Sequence, residues 1–308
     1  MIPALIQLTP DPIAIHLGPL SVAWYGVAYA VGLLACYQLL VRQAFRFGQN
    51  PALVGNGIVV VAIAALIGGR LYHVIDQWPR YQDDLLSIVL PPYAGLGVYG
   101  GLISGTIAAI LLTRFYRVPF PVWADIIAPA LFLMQAIGRW GNFFNQELYG
   151  PPTSLPWGIV IDCAHRILAY PCESFPEATT GFQPLFLYES ISGFLGLAAL
   201  LWLGRRHRAR FRPGDFLLIF FMWYGVVRFG LEFMRLENWT IGGIATAQIF
   251  STVFALGALV IFVGRRLLRP GPSPGPPPRD AAPEEDAPEE DAPEEEAAED
   301  MVSEGGPV

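Results

Sequence analysis

The sequence predicts an all-α fold: a polytopic membrane helix bundle with seven transmembrane helices, its N-terminus outside and its C-terminus inside. Three observations carry this prediction. First, 54% of the 308 residues are apolar and only 15% charged, with a mean hydropathy of +0.45, whereas soluble domains carry about 25% charged residues. Second, apolar stretches of about 20 residues, enough to cross a bilayer core of roughly 30 Å, recur along the chain. They lie at about 20–41, 53–75, 97–115, 123–144, 184–203, 215–235 and 244–264. Third, the arginines fall on alternate connections. Arg42 and Arg46 follow the first stretch and Arg114 and Arg117 the third. Arg205, Arg206, Arg208, Arg210 and Arg212 follow the fifth, and Arg265, Arg266 and Arg269 the seventh. The positive-inside rule puts these loops in the cytosol; the opposite connections hold chiefly Arg80 and Arg166.

Charge distribution narrows the partners. The formal net charge is −7, but residues 280–304 hold 13 of the 26 acidic groups. The first 279 residues therefore carry 19 basic against 13 acidic groups, a net of +6. So apolar a chain lacks the basic face that nucleic-acid binding needs, so the expected surroundings are membrane lipids and no nucleic acid.

Each segment has its own reading. The first stretch lacks a basic leader and is followed directly by Arg42, so it reads as a retained span and not a cleavable signal. The third is rich in glycine (Gly95, Gly97, Gly100, Gly101, Gly105), which favours close helix approach. Residues 149–183 form a small, polar, Pro-rich external insertion with Cys163 and Cys172. An oxidising exterior suits a disulfide there; two unpaired small loop residues are the alternative. Cys36 reads as a packed apolar residue. Residues 1–269 thus form the seven-span membrane domain. Residues 270–308, Pro-rich and then repeating Ala-Pro-Glu-Glu-Asp from Ala282, read as a disordered acidic cytosolic tail that lacks material for a core.

Ionisable residues at bilayer depth point to function. Arg70, Arg139, Arg228 and Arg235 lie within or at the ends of spans, with Asp125, Glu147, Glu189 and Glu232 as candidate acidic neighbours. Tyr224, Arg228, Glu232 and Arg235 follow at intervals of 4, 4 and 3, which puts all four on one helix face. An internal Arg228–Glu232 salt bridge accounts for part of this stripe. The second arginine leaves it positive, so a bound anion completes it. The fourth stretch ends in Ile137-Gly-Arg-Trp-Gly-Asn-Phe-Phe-Asn-Gln-Glu-Leu-Tyr-Gly150. That short run brings together a guanidinium, the amides of Asn142 and Asn145, and the carboxylate of Glu147. A guanidinium binds phosphate oxygens in bidentate fashion, so Arg139 and Arg228 suit a clamp on one phosphodiester; a helix end capped by polar side chains is the plainer alternative. Arg70, after Gly68-Gly69, is either a third phosphate contact or a structural pair. His73, one turn on, is either a base or a packing residue.

The run Gly138-Arg-Trp-Gly-Asn-Phe-Phe-Asn-Gln-Glu-Leu-Tyr-Gly150 resembles the signature of the bacterial prolipoprotein diacylglyceryl transferases, Gly-Arg-x-Gly-Asn-Phe-x-Asn-x-Glu-x-x-Gly. Similar matches are Trp24-Tyr25-Gly26, Gly68-Gly69-Arg70, Asp125-Ile-Ile-Ala-Pro129, Leu187-Tyr-Glu189, Tyr224-Gly-x-x-Arg228 with Glu232 and Arg235, and Gln248. The resemblance covers about residues 10–266. It implies a seven-span enzyme of the bacterial cytoplasmic membrane whose site opens to the external side. Such an enzyme moves the diacylglyceryl group of phosphatidylglycerol onto the lipobox cysteine thiol of a prolipoprotein signal peptide. A thioether forms and glycerol phosphate leaves.

The resemblance makes Arg139 and Arg228 the phosphate-binding arginines and places Tyr25, Asn142, Glu147, Gly150 and Glu232 at other positions the family relies on. Tyr99 stands where proteobacterial members carry a histidine proposed as the base, Ala23 precedes Trp24-Tyr25, and Gln183-Pro184 replaces a frequent His-Pro. The candidate catalytic residues are therefore Arg139, Arg228, Tyr99, Glu147, Asn142 and Glu232. The candidate substrate contacts are Tyr25, Arg70, Asn145, Gly150, Tyr224 and Arg235. A phenol, with an ordinary pKa of about 10, is a poor base at neutral pH, so Tyr99 reads as a hydrogen-bonding residue, with Glu147 or His73 as base candidates. The sequence has no His-Glu-x-x-His, Gly-x-Ser-x-Gly or phosphate-loop motif, and the expected chemistry uses no metal or other cofactor. A non-catalytic anionic-lipid-binding protein or transporter is the competing class.

Overall fold

The computed structural model describes residues 6, 8–17, 20–89, 95–235 and 239–268; the tail expected over 270–308 lies outside the described residues. The helices are α1 (Trp24–Arg46), α2 (Ala52–Asp76), the single turn α3 (Trp78–Tyr81), α4 (Val98–Phe115), α5 (Phe120–Phe144), α6 (Leu185–Arg206), α7 (Asp215–Glu232) and α8 (Thr246–Leu268). Among the described residues, six helices are long and apolar enough to cross a membrane. α7 has 18 residues but carries Asp215, Arg228 and Glu232 within them, so its composition separates it from the six.

The fold departs from all-α in three small antiparallel hairpins: Ile13–Leu17 with Leu20–Ala23, Pro152–Thr153 with Gly181–Phe182, and Thr240–Ile241 with Ile244–Ala245. The first replaces the start of the first expected span. Ile13, Ile15 and Val22 are β-branched and suit a pleated strand, so α1 begins only at Trp24 and runs on to Arg46.

α5 lies at the centre: 56% of its most apolar stretch is buried, against 11% for α1, α2, α4 and α8. α1, α6 and α7 pack on it, α8 packs on α7, and α2 pairs with α4. The glycines set these distances. The Gly97 amide donates to the Gly69 carbonyl at 2.8 Å, and a side chain at Gly100 runs into the Gly68 carbonyl. The Gly-rich stretch therefore does bring α2 and α4 into backbone contact. On α6, a Cβ at Gly193 lies 3.0 Å from the Ala136 Cβ, and one at Gly196 lies 2.6 Å from the Phe132 ring. The hydroxyl of Ser190 donates to the Ala136 carbonyl at 2.8 Å. These contacts fix α6 against the second half of α5.

One end of the bundle is locked by two buried aspartates. Asp125, 1% exposed, accepts from the amides of Gly214 at 2.9 Å and Phe216 at 2.8 Å and pairs with Arg208 at 3.3 Å. It thereby satisfies the free N–H groups at the start of α7. Gly214 holds a left-handed φ of 93°, which glycine adopts without steric penalty. Asp215 pairs with Arg265 at 3.3 Å and Arg266 at 2.8 Å. Arg46, Arg208, Arg265 and Arg266 thus gather at the same end, near Phe47 and Phe216. Asp125 precedes Arg139 by 14 residues on α5, or roughly 21 Å along the helix at its usual rise. It belongs to this lock and not to the arginine neighbourhood expected from sequence.

Candidate active site

The other end of α5 carries a chain of ion pairs. Arg139 lies one turn beyond Ala136, where α6 is held close, so Glu189 on α6 meets it. The Arg139 Nε and a Glu189 oxygen form an ion pair. The second Glu189 oxygen accepts from Arg228 of α7 at 2.7 Å. Arg228 also pairs with Glu232, one turn on, at 2.8 Å, and Arg235 reaches Glu232 at 3.8 Å. Glu189 and Glu232 are each 3% exposed. Among these five residues three guanidinium groups face two carboxylates, a formal net charge of +1 at neutral pH.

Three helices are therefore tied through charge at a single point, and the tie is Glu189. The sequence alone does not single it out from Asp125, Glu147 and Glu232. Its signal was the Leu-Tyr-Glu match and its place one turn before Gly193, the contact that brings α6 onto α5. The expected four-residue stripe is shorter than its spacing implies. α7 ends at Glu232, and Arg235 lies in the following turn, its amide donating to the Glu232 carbonyl at 3.2 Å. Tyr224, one turn before Arg228, is within electrostatic reach of Arg228, Glu189, Arg139 and Tyr99.

Beside the ion pairs, the C-terminus of α5 turns back on itself. Arg139 donates to the Asn142 side-chain oxygen at 3.3 Å, and the Asn142 amide donates to Glu147 at 2.6 Å. Asn145 reaches the same Glu147 oxygen at 3.5 Å, a marginal length. The amides of Gln146 and Glu147 donate to the carbonyls of Phe143 and Asn142, the pattern of a Schellman cap. Tyr25 of α1 lies against Gly141, where a Cβ meets the ring at 2.5 Å, and is within electrostatic reach of Glu147 and Arg139. Gly150 is packed too: its amide donates to the Gln183 carbonyl at 2.8 Å, and a Cβ lies 3.0 Å from the Gln183 Cβ. Gly141→Ala is expected to push Tyr25 away from Arg139. Turnover should fall by about 10- to 100-fold, measured beside the thermal unfolding midpoint to separate displacement from misfolding.

Three expected residues sit differently. The Arg70 guanidinium donates to the carbonyls of Ile88 at 3.0 Å, Ser87 at 2.9 Å and Gly95 at 3.3 Å, and to the Tyr81 hydroxyl at 3.2 Å. These bonds tie it to the loop after α2. His73 packs against Gly95 and edge-on to Tyr81, and its Nε2 is buried without a hydrogen-bond partner among the described residues. Tyr99, at the start of α4, packs its ring against Tyr72 at 6.0 Å and Phe250 at 5.6 Å.

The insertion between α5 and α6 is a small packed unit. Cys163 and Cys172 are disulfide-bonded, which decides between the two sequence alternatives. Tyr149, Ile161, Tyr170 and Phe182 pack together as the apolar core of the insertion. Arg166 stacks over the Phe182 ring at 4.3 Å, and burial there pulls its guanidinium pKa down.

The chain is similar to known proteins over most of its length. The family model described as prolipoprotein diacylglyceryl transferase matches residues 12–264. Among similar proteins, the phosphatidylglycerol–prolipoprotein diacylglyceryl transferase of Chloroflexus aggregans is 34% identical, with 86% of this chain and 92% of the relative aligned. The chain belongs to the prolipoprotein diacylglyceryl transferase family. Proteins of the same name from Halalkalibacterium halodurans and Synechocystis are 35% and 34% identical, covering 83% and 80% of this chain and 86% and 87% of theirs. The matched region contains every residue of the ion-pair chain and of the α5 turn.

Proposed function

We infer that this chain is a membrane transferase that moves the diacylglyceryl group of phosphatidylglycerol onto the thiol of a prolipoprotein cysteine, the first step of lipoprotein maturation. The observation that carries the reading is the chain of ion pairs from Arg139 to Arg235, which lies inside the family match and has a formal excess of one positive charge. One phosphodiester anion balances that excess.

In the reaction the cysteine sulfur attacks the glycerol carbon that bears the phosphate. A sulfur–carbon bond forms, the carbon–oxygen bond breaks, and glycerol phosphate departs with both electrons of that bond. Arg139 and Arg228 sit where they stabilise the growing phosphate charge, the kind of preorganised electrostatics that supplies the largest share of many rate enhancements. Glu189 and Glu232 orient the two guanidinium groups. The thiol proton goes to Glu147, an exposed carboxylate already held by Asn142, and nearby guanidinium charge favours the thiolate. Tyr25, Asn145, Tyr224 and Arg235 line the approach, while Tyr99 serves by packing and hydrogen bonding. Tyr99→Phe is accordingly expected to keep turnover within a few-fold of the parent. Abolished turnover with lipid binding intact makes Tyr99 essential instead.

In this reading α7 is the seventh span. Its three charged residues are all paired inside the bundle, and 18 residues reach about 27 Å at the helical rise. The arginine-rich end faces the cytosol. The ion-pair end, with the disulfide-bonded insertion, faces the outside of the bacterial cytoplasmic membrane, where lipobox signal peptides are met.

The test uses purified protein in detergent with phosphatidylglycerol and a synthetic lipobox peptide, read by mass spectrometry of the peptide. The expected result is a gain of one diacylglyceryl group, absent for a Cys→Ser peptide and for Arg139→Ala enzyme. Folded protein that binds the lipid and yields no adduct overturns the reading in favour of a non-catalytic anion site.

A further inference from the structure

Gln146, one of five positions that the α5 signature leaves unspecified, is hydrogen-bonded to the insertion. Gln146 is 4% exposed and holds a left-handed φ of 52°, a conformation that residues with a Cβ rarely adopt. Leu148 does the same at 55°. Glu147 therefore sits between two left-handed residues, and this double reversal carries its carboxylate back to Asn142. Nothing in the local sequence favours that path, since neither flanking residue is glycine or asparagine.

Beside the two backbone hydrogen bonds of the cap, a two-point side-chain clamp holds it. The Gln146 side-chain amide donates to Asp162 Oδ2 at 2.7 Å, and the Gln146 side-chain oxygen accepts from the Asp162 amide at 2.8 Å. Asp162 directly precedes the disulfide-bonded Cys163, whose own amide donates to Glu177. The insertion thus presents a rigid donor and acceptor to a strained turn.

We propose that Gln146 and Asp162 are a positioning pair: the insertion clamps the turn after α5 so that Glu147 reaches Asn142 beside Arg139. The proposal rests on the reading of Glu147 as a working carboxylate. It also gives the insertion a role in the reaction itself.

The clamp separates two properties of Gln146, its side chain and its backbone. Alanine removes the side chain and keeps the steric opposition to a left-handed φ. Glycine removes the side chain and that opposition together. Turnover of a lipobox peptide with phosphatidylglycerol is measured for Gln146→Ala, Gln146→Gly, Asp162→Ala, Asp162→Asn and the Gln146→Gly/Asp162→Ala double variant. Thermal unfolding is followed on each. Gln146→Ala and Asp162→Ala are expected to lower kcat by about 10- to 100-fold, the scale of a misplaced reacting group, with KM for the lipid little changed. Asp162→Asn keeps an acceptor and the backbone donor and is expected to restore most of kcat. Gln146→Gly is expected to exceed Gln146→Ala in kcat, and adding Asp162→Ala to it should cause little further loss, since no clamp remains to break.

Equal losses for alanine and glycine, additive effects in the double variant, or a failure of Asp162→Asn to rescue would overturn the clamp. If Gln146→Ala fails to fold, the glycine background still decides the question. Glu147→Gln keeps the two failures apart. If it abolishes turnover while Gln146→Ala does not, the clamp is wrong and the role of Glu147 stands. If Glu147→Gln turns over normally, the role of Glu147 is wrong and the proposal falls with it.

Discussion

Arg139→Ala and Arg228→Ala should each lower turnover by about 10²- to 10³-fold, the scale for removing one preorganised donor from a developing charge. Both guanidinium groups meet the same carboxylate, so neither stands in for the other. Arg228 pairs with Glu189 and Glu232 together, and the proposed role of Glu232 is to orient Arg228 and Arg235. Glu232→Gln should consequently lower activity less than Arg228→Ala, because an amide oxygen still accepts from the guanidinium. The measurement is kcat/KM for phosphatidylglycerol on each purified variant with a lipobox peptide in excess. The reverse order overturns the assignment of Glu232 as an orienting group.

Glu189→Ala should be the most damaging change to the fold of the site. One buried carboxylate joins α5 to α7 through two arginines. Removing it leaves Arg139 without its carboxylate partner and a 12%-exposed Arg228 side chain with Glu232 alone. Breaking a buried ion pair by deleting one partner typically loses about 3–5 kcal/mol, because the remaining charge stays desolvated. The expected result is a marked drop in the detergent unfolding midpoint together with loss of turnover. Glu189→Gln keeps the shape but only one of the two acceptor oxygens, so one guanidinium then faces an amide N–H; it should unfold nearer to the parent than Glu189→Ala while remaining poorly active. A parent-like midpoint and turnover for Glu189→Ala would show that the bridge is dispensable.

Much of the architecture was readable because a bilayer imposes simple demands. A span needs a long apolar run, and six helices meet that demand in the structure. The Gly-rich α4 was readable as a close-packing helix for the same reason, since only small residues let backbones touch. Charge at bilayer depth was likewise conspicuous, and Arg139, Arg228 and Glu232 do come together.

What escaped sequence reading involved partners far apart in the chain. Asp125 lies 14 residues before Arg139 on one helix, yet its partners are Arg208 and the start of α7 at the opposite end of the bundle. Arg70 has the composition of a phosphate ligand, but loop carbonyls around residues 87–95 take its donors. Residues 20–23 look like the start of a span and instead form a strand, because Ile13–Leu17 is near enough to pair with them.

By itself the sequence determined the material of this protein: apolar runs of membrane length, arginines on alternate loops, and a short signature rich in donors and carboxylates. These are local properties, set by residue type and spacing, and hydrophobic burial and the positive-inside bias act on them directly. The tertiary structure decided which charges meet. Whether Glu189 bridges two arginines, whether Gln146 finds Asp162, and whether two cysteines close a disulfide depend on helix packing distances and loop paths. Those distances are fixed by contacts such as Gly193 on Ala136 and Gly141 on Tyr25, and ion pairs and hydrogen bonds act over only a few ångströms.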